Sequence, residues 1–272
     1  MKQKTIKDYS ISKEDFVLKY DEKYKLYQTK FSDWDSLDRY YQSENYISHT
    51  DGKRNWFEKV YQVVKEITIK QKWKLIQSYV SKKDINVLDI GCGTGDFLKY
   101  GISNLNVNGI GVEPNDKASE ISKSKSITVS KSISELKNET YDVITLWHVL
   151  EHVPDLESYF DFFSKHLNKD GILIIAVPNF NSYDAQHYGQ HWAAWDVPRH
   201  LWHFSKKSLS LKLAPYHFSI QDVRPMYFDS YYVSLLSEEY MTGNKNIFRA
   251  FKTGFLSNWK AKDTNEYSSL IY

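Results

Sequence analysis

Val87-Leu88-Asp89-Ile90-Gly91-Cys92-Gly93-Thr94-Gly95-Asp96-Phe97-Leu98 runs from a short apolar segment through three alternate glycines into a polar-then-apolar helix start. An apolar run that ends in a Gly-rich turn and reopens as a helix is the first half of a βα unit. The texture repeats outward from it. Ile85 to Ile90 reads as a buried strand, Asp96 to Ser103 as a helix and Val107 to Glu113 as a second strand. Asn115 to Ser124 reads as a helix, with Asn115 or Asp116 at its cap. Ile127 to Ser130 and Tyr141 to Trp147 are the third and fourth strands, Leu156 to Leu167 is helical, and Gly171 to Pro178 is the most hydrophobic strand. Strands apolar on both faces and separated by helices predict a parallel sheet covered on both sides. The expected fold class is α/β, doubly wound.

Upstream, apolar positions from Arg54 to Val80 recur at three- and four-residue steps. They predict an amphipathic helix, or two helices broken near β-branched Ile67-Thr68-Ile69. The first fifty residues show neither a sustained period nor Gly/Pro punctuation, so an N-terminal helical extension is expected ahead of the sheet.

Composition removes several classes. The 272 residues are 41 % hydrophobic and 26 % charged, with a formal net charge of +2, which is globular composition. The longest apolar stretch, Ile172 to Pro178, is far short of the ~20 residues of a spanning helix. The first residues carry charges without an apolar core, so no signal peptide is expected. The single cysteine, Cys92, excludes an internal disulfide and suits a reducing cytoplasm. Residues 1–83 carry a net +6, but their lysines are scattered among acids and aromatics, so no nucleic-acid partner is expected. Aromatic residues reach 16 % of the chain, a heavy load for the fold to place.

The Gly-rich turn carries the chemistry. Glycines there allow a tight turn and let a ligand approach bare main chain. Glu113 lies eighteen residues beyond Gly95, at the end of the next predicted strand, where a carboxylate hydrogen-bonds the ribose hydroxyls of a nucleotide. A dinucleotide fingerprint needs glycine where Asp96 stands, and no Gly-Lys-Ser/Thr follows the turn. With acids Asp89 and Asp96 flanking it, the turn suits a ligand with a ribose and a cationic tail. S-adenosylmethionine has both.

VLDIGCGTGDFL (87–98), GVEPN (111–115), YDVITLWHVLEHVPD (141–155) and GILIIAVPN (171–179) resemble the successive motifs of class I S-adenosylmethionine-dependent methyltransferases. The resemblance is nearest to the ubiquinone-pathway O-methyltransferases and their bacterial relatives, and Trp195 to Ser205 resembles a stretch of that bacterial group. It covers residues 84–226 and weakens beyond them. It implies a Rossmann-like seven-stranded sheet whose last strands are Phe218 to Pro225 and Ser268 to Tyr272. Relatives often carry a cysteine-rich metal module before the segment matching Tyr40-Tyr41-Gln42-Ser43; this chain has no cysteines there. Residues 1–52 are expected to be a packing extension or a lid and 53–272 the methyltransferase domain. That domain would carry a substrate segment at about 179–205 and a helical insert at about 228–262.

The resemblance also assigns roles. Gly91, Gly93 and Gly95 shape the cofactor turn, Asp89 faces the methionine amino group or acts as a cap, and Glu113, followed by Pro114, binds the ribose. Cys92 is read as a small residue tolerated in the turn. Ser132 and Ile133 lie near the adenine, and Leu146 and Trp147 wall the cofactor or pack in the core. Four apart, His148 and His152 would share a helical face beside Glu151, as general base or as loop supports. Tyr188, Trp192, Trp195, Arg199 and His200 form a substrate-facing lid, in which Arg199 receives an anionic acceptor or is a buried structural residue. The pairs His187/His191 and His200/His203 have metal-like spacing, but no cysteine or helix-start signal supports them, Pro198 interrupts the pairing, and no metal is expected. The 228–262 insert, aromatic early and basic later, is either a membrane or lipophilic-substrate contact or a helical pair packed on the sheet. The expected function is methyl transfer from S-adenosylmethionine to a small-molecule hydroxyl, yielding S-adenosylhomocysteine. An NAD-type oxidoreductase and a non-catalytic binder of the same cofactor are the alternatives.

Overall fold

The computed structural model describes residues 2–31, 39–41, 56–137 and 139–272, with the side chains of α1 from residue 62 onward. Gln42 and Ser43, and the 52/53 boundary, lie outside the described residues. The elements in order are β1 (Gln3–Lys7), β2 (Asp15–Asp21), β3 (Leu26–Thr29), α1 (Trp56–Tyr79), β4 (Asn86–Ile90), α2 (Asp96–Asn104), β5 (Asn108–Val112), α3 (Asp116–Ser124) and β6 (Thr128–Ser130). They continue as β7 (Tyr141–Trp147), α4 (Leu156–His166), β8 (Leu167–Pro178), α5 (Tyr183–Tyr188), β9 (Trp202–His203), α6 (Lys206–Leu213), β10 (Arg224–Pro225), α7 (Asp229–Thr242), α8 (Ile247–Thr264) and β11 (Ser269–Ile271).

The main sheet has the order β10-β11-β8-β7-β4-β5-β6. β4 pairs in parallel with β5 and β7, β5 in parallel with β6, and β11 antiparallel with β8 and β10. The doubly wound, mostly parallel seven-stranded architecture is thus present. The chain divides into two compact units, one holding residues 47–147 and 157–174, the other residues 1–46, 148–156 and 175–272. In the first, Val87, Leu88, Val143, Ile144 and Leu146 are fully buried along β4 and β7. Trp73 of α1 stacks on Phe97 of α2, with ring centroids 4.5 Å apart, and donates its Nε1–H to the Phe97 carbonyl at 2.9 Å. In the second, an antiparallel sheet β1-β2-β3-β9 packs on an aromatic core that includes Phe16, Tyr27, Tyr40, Tyr188, Trp192 and Trp195. That core takes up part of the aromatic load.

Three expectations are corrected. Among the described residues ahead of α1, the expected helical extension is replaced by the strands Gln3–Lys7, Asp15–Asp21 and Leu26–Thr29. Their turns are made by aspartates rather than Gly or Pro: Asp8 accepts from the amides of Ser10, Ile11 and Ser12, and Asp21 from those of Lys23 and Tyr24. α1 is a single helix through Ile67-Thr68-Ile69, where the Thr68 hydroxyl donates to the Val64 carbonyl at 2.8 Å and stays compatible with the helix. The strand expected over Phe218 to Pro225 shrinks to Arg224–Pro225. No helix among the described residues is long and apolar enough to cross a membrane.

Candidate functional site

β4 delivers the chain into the glycine turn, and β5 delivers Glu113 beside it. Gly91, Gly93 and Gly95 have φ of 70°, 54° and 78°, the left-handed region that side chains avoid, and Gly95 caps α2. The Gly91 and Cys92 amides donate to the Val112 carbonyl at 2.7 and 3.1 Å, tying the turn to the end of β5. Glu113 completes the tie: its carboxylate accepts from the Gly93 amide at 2.9 Å and from the Asn115 amide, beyond Pro114, at 2.9 Å. Asn115 in turn caps α3 by accepting from the Ala118 amide.

Charge around the turn is set by burial and by lysines. Asp89 is buried and accepts from the Thr145 hydroxyl at 2.6 Å; burial outweighs that bond and pushes its carboxyl up to about 7. Asp96 is also partly desolvated, but Lys125 and Lys65, each at 2.6 Å, and Thr94 hold it at about 2. Burial pushes the Cys92 thiol up to about 12, so it is no nucleophile. Leu146 is fully buried and belongs to the core rather than to a ligand wall. Trp147, at the end of β7, has the Lys72 ammonium 4.2 Å from its ring centroid and Phe97 edge-on at 5.8 Å. Its buried Nε1 has no hydrogen-bond partner among the described residues. Ser132 and Ile133 stand at the single 3-10 turn after β6.

The second and third glycines of the turn make separable predictions. A Cβ on Gly93 would meet open space, whereas one on Gly95 would collide with Ser122 and Ile127. Gly93→Ala therefore bears only the left-handed strain of roughly 1–2 kcal/mol, while Gly95→Ala adds a steric clash. Thermal melting should show Gly95→Ala much the less stable of the two; equal melting temperatures would contradict this geometry.

The second unit holds the histidines. His148 and His152 do not share a helical face, because His148 sits at φ 59° and only one 3-10 turn, Leu150–His152, follows. His148 lies between two carboxylates, Glu151 at 3.3 Å and Asp229 at 2.9 Å. Burial disfavours its cation, but the two carboxylates win and push it up to about 10. His152 places Nδ1 3.1 Å from the Arg199 carbonyl and 3.3 Å from the Tyr41 hydroxyl, with its ring edge-on to His200 at 4.6 Å. Burial, then repulsion from His200, lowers it to about 4. Glu151, His152 and His200 each bring a ligand atom within 4.8 Å of the others, a donor set that a divalent cation could use. Neither histidine pair weighed from the sequence makes this cluster. His203 bonds Thr29 at 2.9 Å, and His187 and His191 lie against Tyr183 and Tyr9.

The substrate lid is also corrected. Trp192 and Trp195 are core residues, donating to Asp184 and to the Gly189 carbonyl at 2.8 Å each. The Arg199 guanidinium is buried against Asp8 at 3.0 Å and Asp196 at 2.7 Å, so it has no charge to spare for an anionic acceptor. Of that group, only His200 reaches the histidine cluster. Asp229, Tyr41 and Asp8 contact His148, His152 and Arg199 without any local sequence signal, each arriving from a segment remote in the chain.

His148 gives stability a pH dependence. Its folded pKa, about 10, exceeds the ordinary 6.5, so its contribution is complete below pH 6.5 and is lost as pH rises through about 10. Melting temperatures across that window should fall further for wild type than for His148→Gln; parallel profiles would remove the ion pairs as the cause.

A family model described as a methyltransferase domain matches residues 66–222. The ubiquinone biosynthesis O-methyltransferase of Pelagibacter ubique is 32 % identical over 124 residues, covering 43 % of this chain and 51 % of that protein. A ubiquinone/menaquinone biosynthesis C-methyltransferase of Campylobacter jejuni is 27 % identical over 113 residues, covering 37 % and 47 %. The chain thus spans about half the length of the curated relatives it matches. Among solved structures, the Haemonchus contortus phosphoethanolamine N-methyltransferase 2 in complex with S-adenosyl-L-methionine has a TM-score of 0.54 at 17 % identity, covering 89 % of this chain and 59 % of that one. At that identity the likeness is one of fold.

Proposed function

The chain belongs to the methyltransferase-domain family, and from that premise we propose that it transfers a methyl group from S-adenosylmethionine to a hydroxyl of a small-molecule acceptor. The observation that carries this reading is the pairing of Glu113 with the Gly93 amide beside the open space over Gly93. A carboxylate anchored in that way keeps lone pairs for two vicinal hydroxyls, and bare main chain lets a ligand come close. The orphan Trp147 Nε1–H and the partly protonatable Asp89 fit a ligand with both acceptor atoms and a cationic tail. S-adenosylmethionine supplies an electrophilic methyl on a sulfonium. The chain supplies position, a desolvated environment and a proton acceptor.

His152 is the proton acceptor in this proposal. Its Nδ1 faces the Arg199 carbonyl, so that nitrogen carries the hydrogen and Nε2 keeps the lone pair. Its lowered pKa leaves it neutral at pH 7. His148 is already protonated there and serves as a positioning residue, holding Glu151 and Asp229.

Calorimetry with S-adenosylhomocysteine tests the cofactor assignment. Wild type should bind it, and NAD should not compete. Glu113→Ala should weaken binding by roughly 10- to 100-fold, the worth of charge-assisted hydrogen bonds of about 1.5–3 kcal/mol. Tight NAD binding, or an unchanged affinity in Glu113→Ala, would sink the assignment.

A further inference from the structure

α8 wears its amphipathicity inside out. Its buried positions are all small: Ala250, Thr253, Gly254, Ser257 and Ala261. They let the helix lie close to α7, where Gly254 meets the Tyr231 backbone and Phe251 meets the Tyr231 ring at 4.7 Å. Its large residues point the other way. Phe248 is 89 % exposed, Phe251 61 %, Phe255 55 % and Trp259 56 %. Steps of three and four place these four rings on one face. A helix that only filled out a globular core would turn its aromatics inward, and contiguous exposed apolar faces mark interaction sites.

Charge decides the occupant. Lys245, Arg249, Lys252, Lys260 and Lys262 accompany the rings, and residues 244–262 contain no acid. At 100° per residue, Lys262 falls within the aromatic face and Lys252 at its edge, while Arg249 and Lys260 lie about a quarter turn away, the Lys260 ammonium over the Tyr183 ring. A second copy of the chain would bring this basic face against itself, at a repulsive cost. An anionic bilayer surface meets both features, because rings enter the boundary between headgroups and acyl chains while lysines meet lipid phosphates.

We propose that the outward face of α8 docks the protein on an anionic lipid bilayer surface, with Phe248, Phe251, Phe255 and Trp259 inserted and Lys252 and Lys262 on the phosphates. This goes beyond methyl transfer and does not depend on it, because the readout is binding. Docking would bring the protein to the interface where lipophilic small molecules concentrate.

Co-flotation of the full chain with vesicles tests the proposal. Wild type should float with phosphatidylcholine vesicles containing phosphatidylglycerol and not with phosphatidylcholine alone, and added salt should release it. Phe248→Ala/Phe255→Ala and, separately, Lys252→Glu/Lys262→Glu should each lower partitioning by about tenfold or more. Both pairs lie on the exposed face, so melting temperatures should match wild type and exclude misfolding as the cause. Failure of wild type to float with either vesicle would overturn the proposal. So would flotation that ignores lipid charge, or light scattering that shows a dimer abolished by the alanine pair, which would assign the face to a second copy.

Discussion

His152→Ala should lower turnover by about 10²- to 10⁴-fold, the range expected when a positioned general base is lost. Affinity for S-adenosylhomocysteine should stay close to wild type, because Glu113 and the glycine turn, not His152, carry cofactor binding in this proposal. The defect should shrink as pH rises, since an acceptor hydroxyl that ionises in solution no longer needs a base. Wild type should hold its rate from neutral pH down towards about 4, where His152 takes up its own proton. His148→Gln should behave differently. Its histidine is charged well above neutrality, so its loss should alter positioning without an alkaline rescue. A His152→Ala enzyme with wild-type turnover at neutral pH would leave methyl transfer intact and move the proton elsewhere.

Much of the sheet was legible because both of its signals are local. Buried parallel strands announce themselves as apolar runs, and β7 matches its reading residue for residue, Tyr141 to Trp147. The place of Glu113 at the end of β5, beside the glycine turn, was legible as a spacing, because adjacent parallel strands of a right-handed βαβ unit bring their ends together; its bond to the Gly93 amide was not. The N-terminal sheet was hidden because its turns rest on Asp8 and Asp21, whose hydrogen bonds to the following amides do the work expected of Gly or Pro. Alternation was present in Phe16, Leu18 and Tyr20, but over too few residues to stand out.

The histidine cluster was hidden for a different reason. The step from His148 to His152 suggests a helical face, yet a left-handed residue at position 148 sends the two rings to different partners. Those partners, Asp229 for one and Arg199 and Tyr41 for the other, come from elements no local pattern connects. Burial of a charged side chain is equally silent in sequence. An arginine beside tryptophans reads equally as a lid residue or a buried structural one, and Asp8 and Asp196 on its guanidinium decide for the second.

Arg199→Met should therefore be the most destabilising single change considered. It removes the cation from two carboxylates, one of them on a fully buried Asp8 side chain, and breaking such a pair costs about 3–5 kcal/mol. At about 2–4 °C per kcal/mol for a chain of this size class, the melting temperature should fall by roughly 6–20 °C. Adding Asp8→Asn should recover part of the loss, since the residual penalty is an unpaired buried charge; strictly additive losses would contradict the pairing. Burial alone would raise Asp8, but Arg199 and the turn hydrogen bonds hold it below the usual carboxylate range. Its contribution is thus complete above about pH 4 and fades as acid titrates the folded form, so Arg199→Met should flatten the acid limb of the stability profile. The damage should reach the chemistry too. The Arg199 carbonyl accepts from His152 Nδ1, so a slackened 196–200 segment frees the ring that holds the reacting lone pair in place. Turnover in Arg199→Met should fall even at temperatures where the variant remains folded, while Asp8→Asn/Arg199→Met should regain rate along with stability.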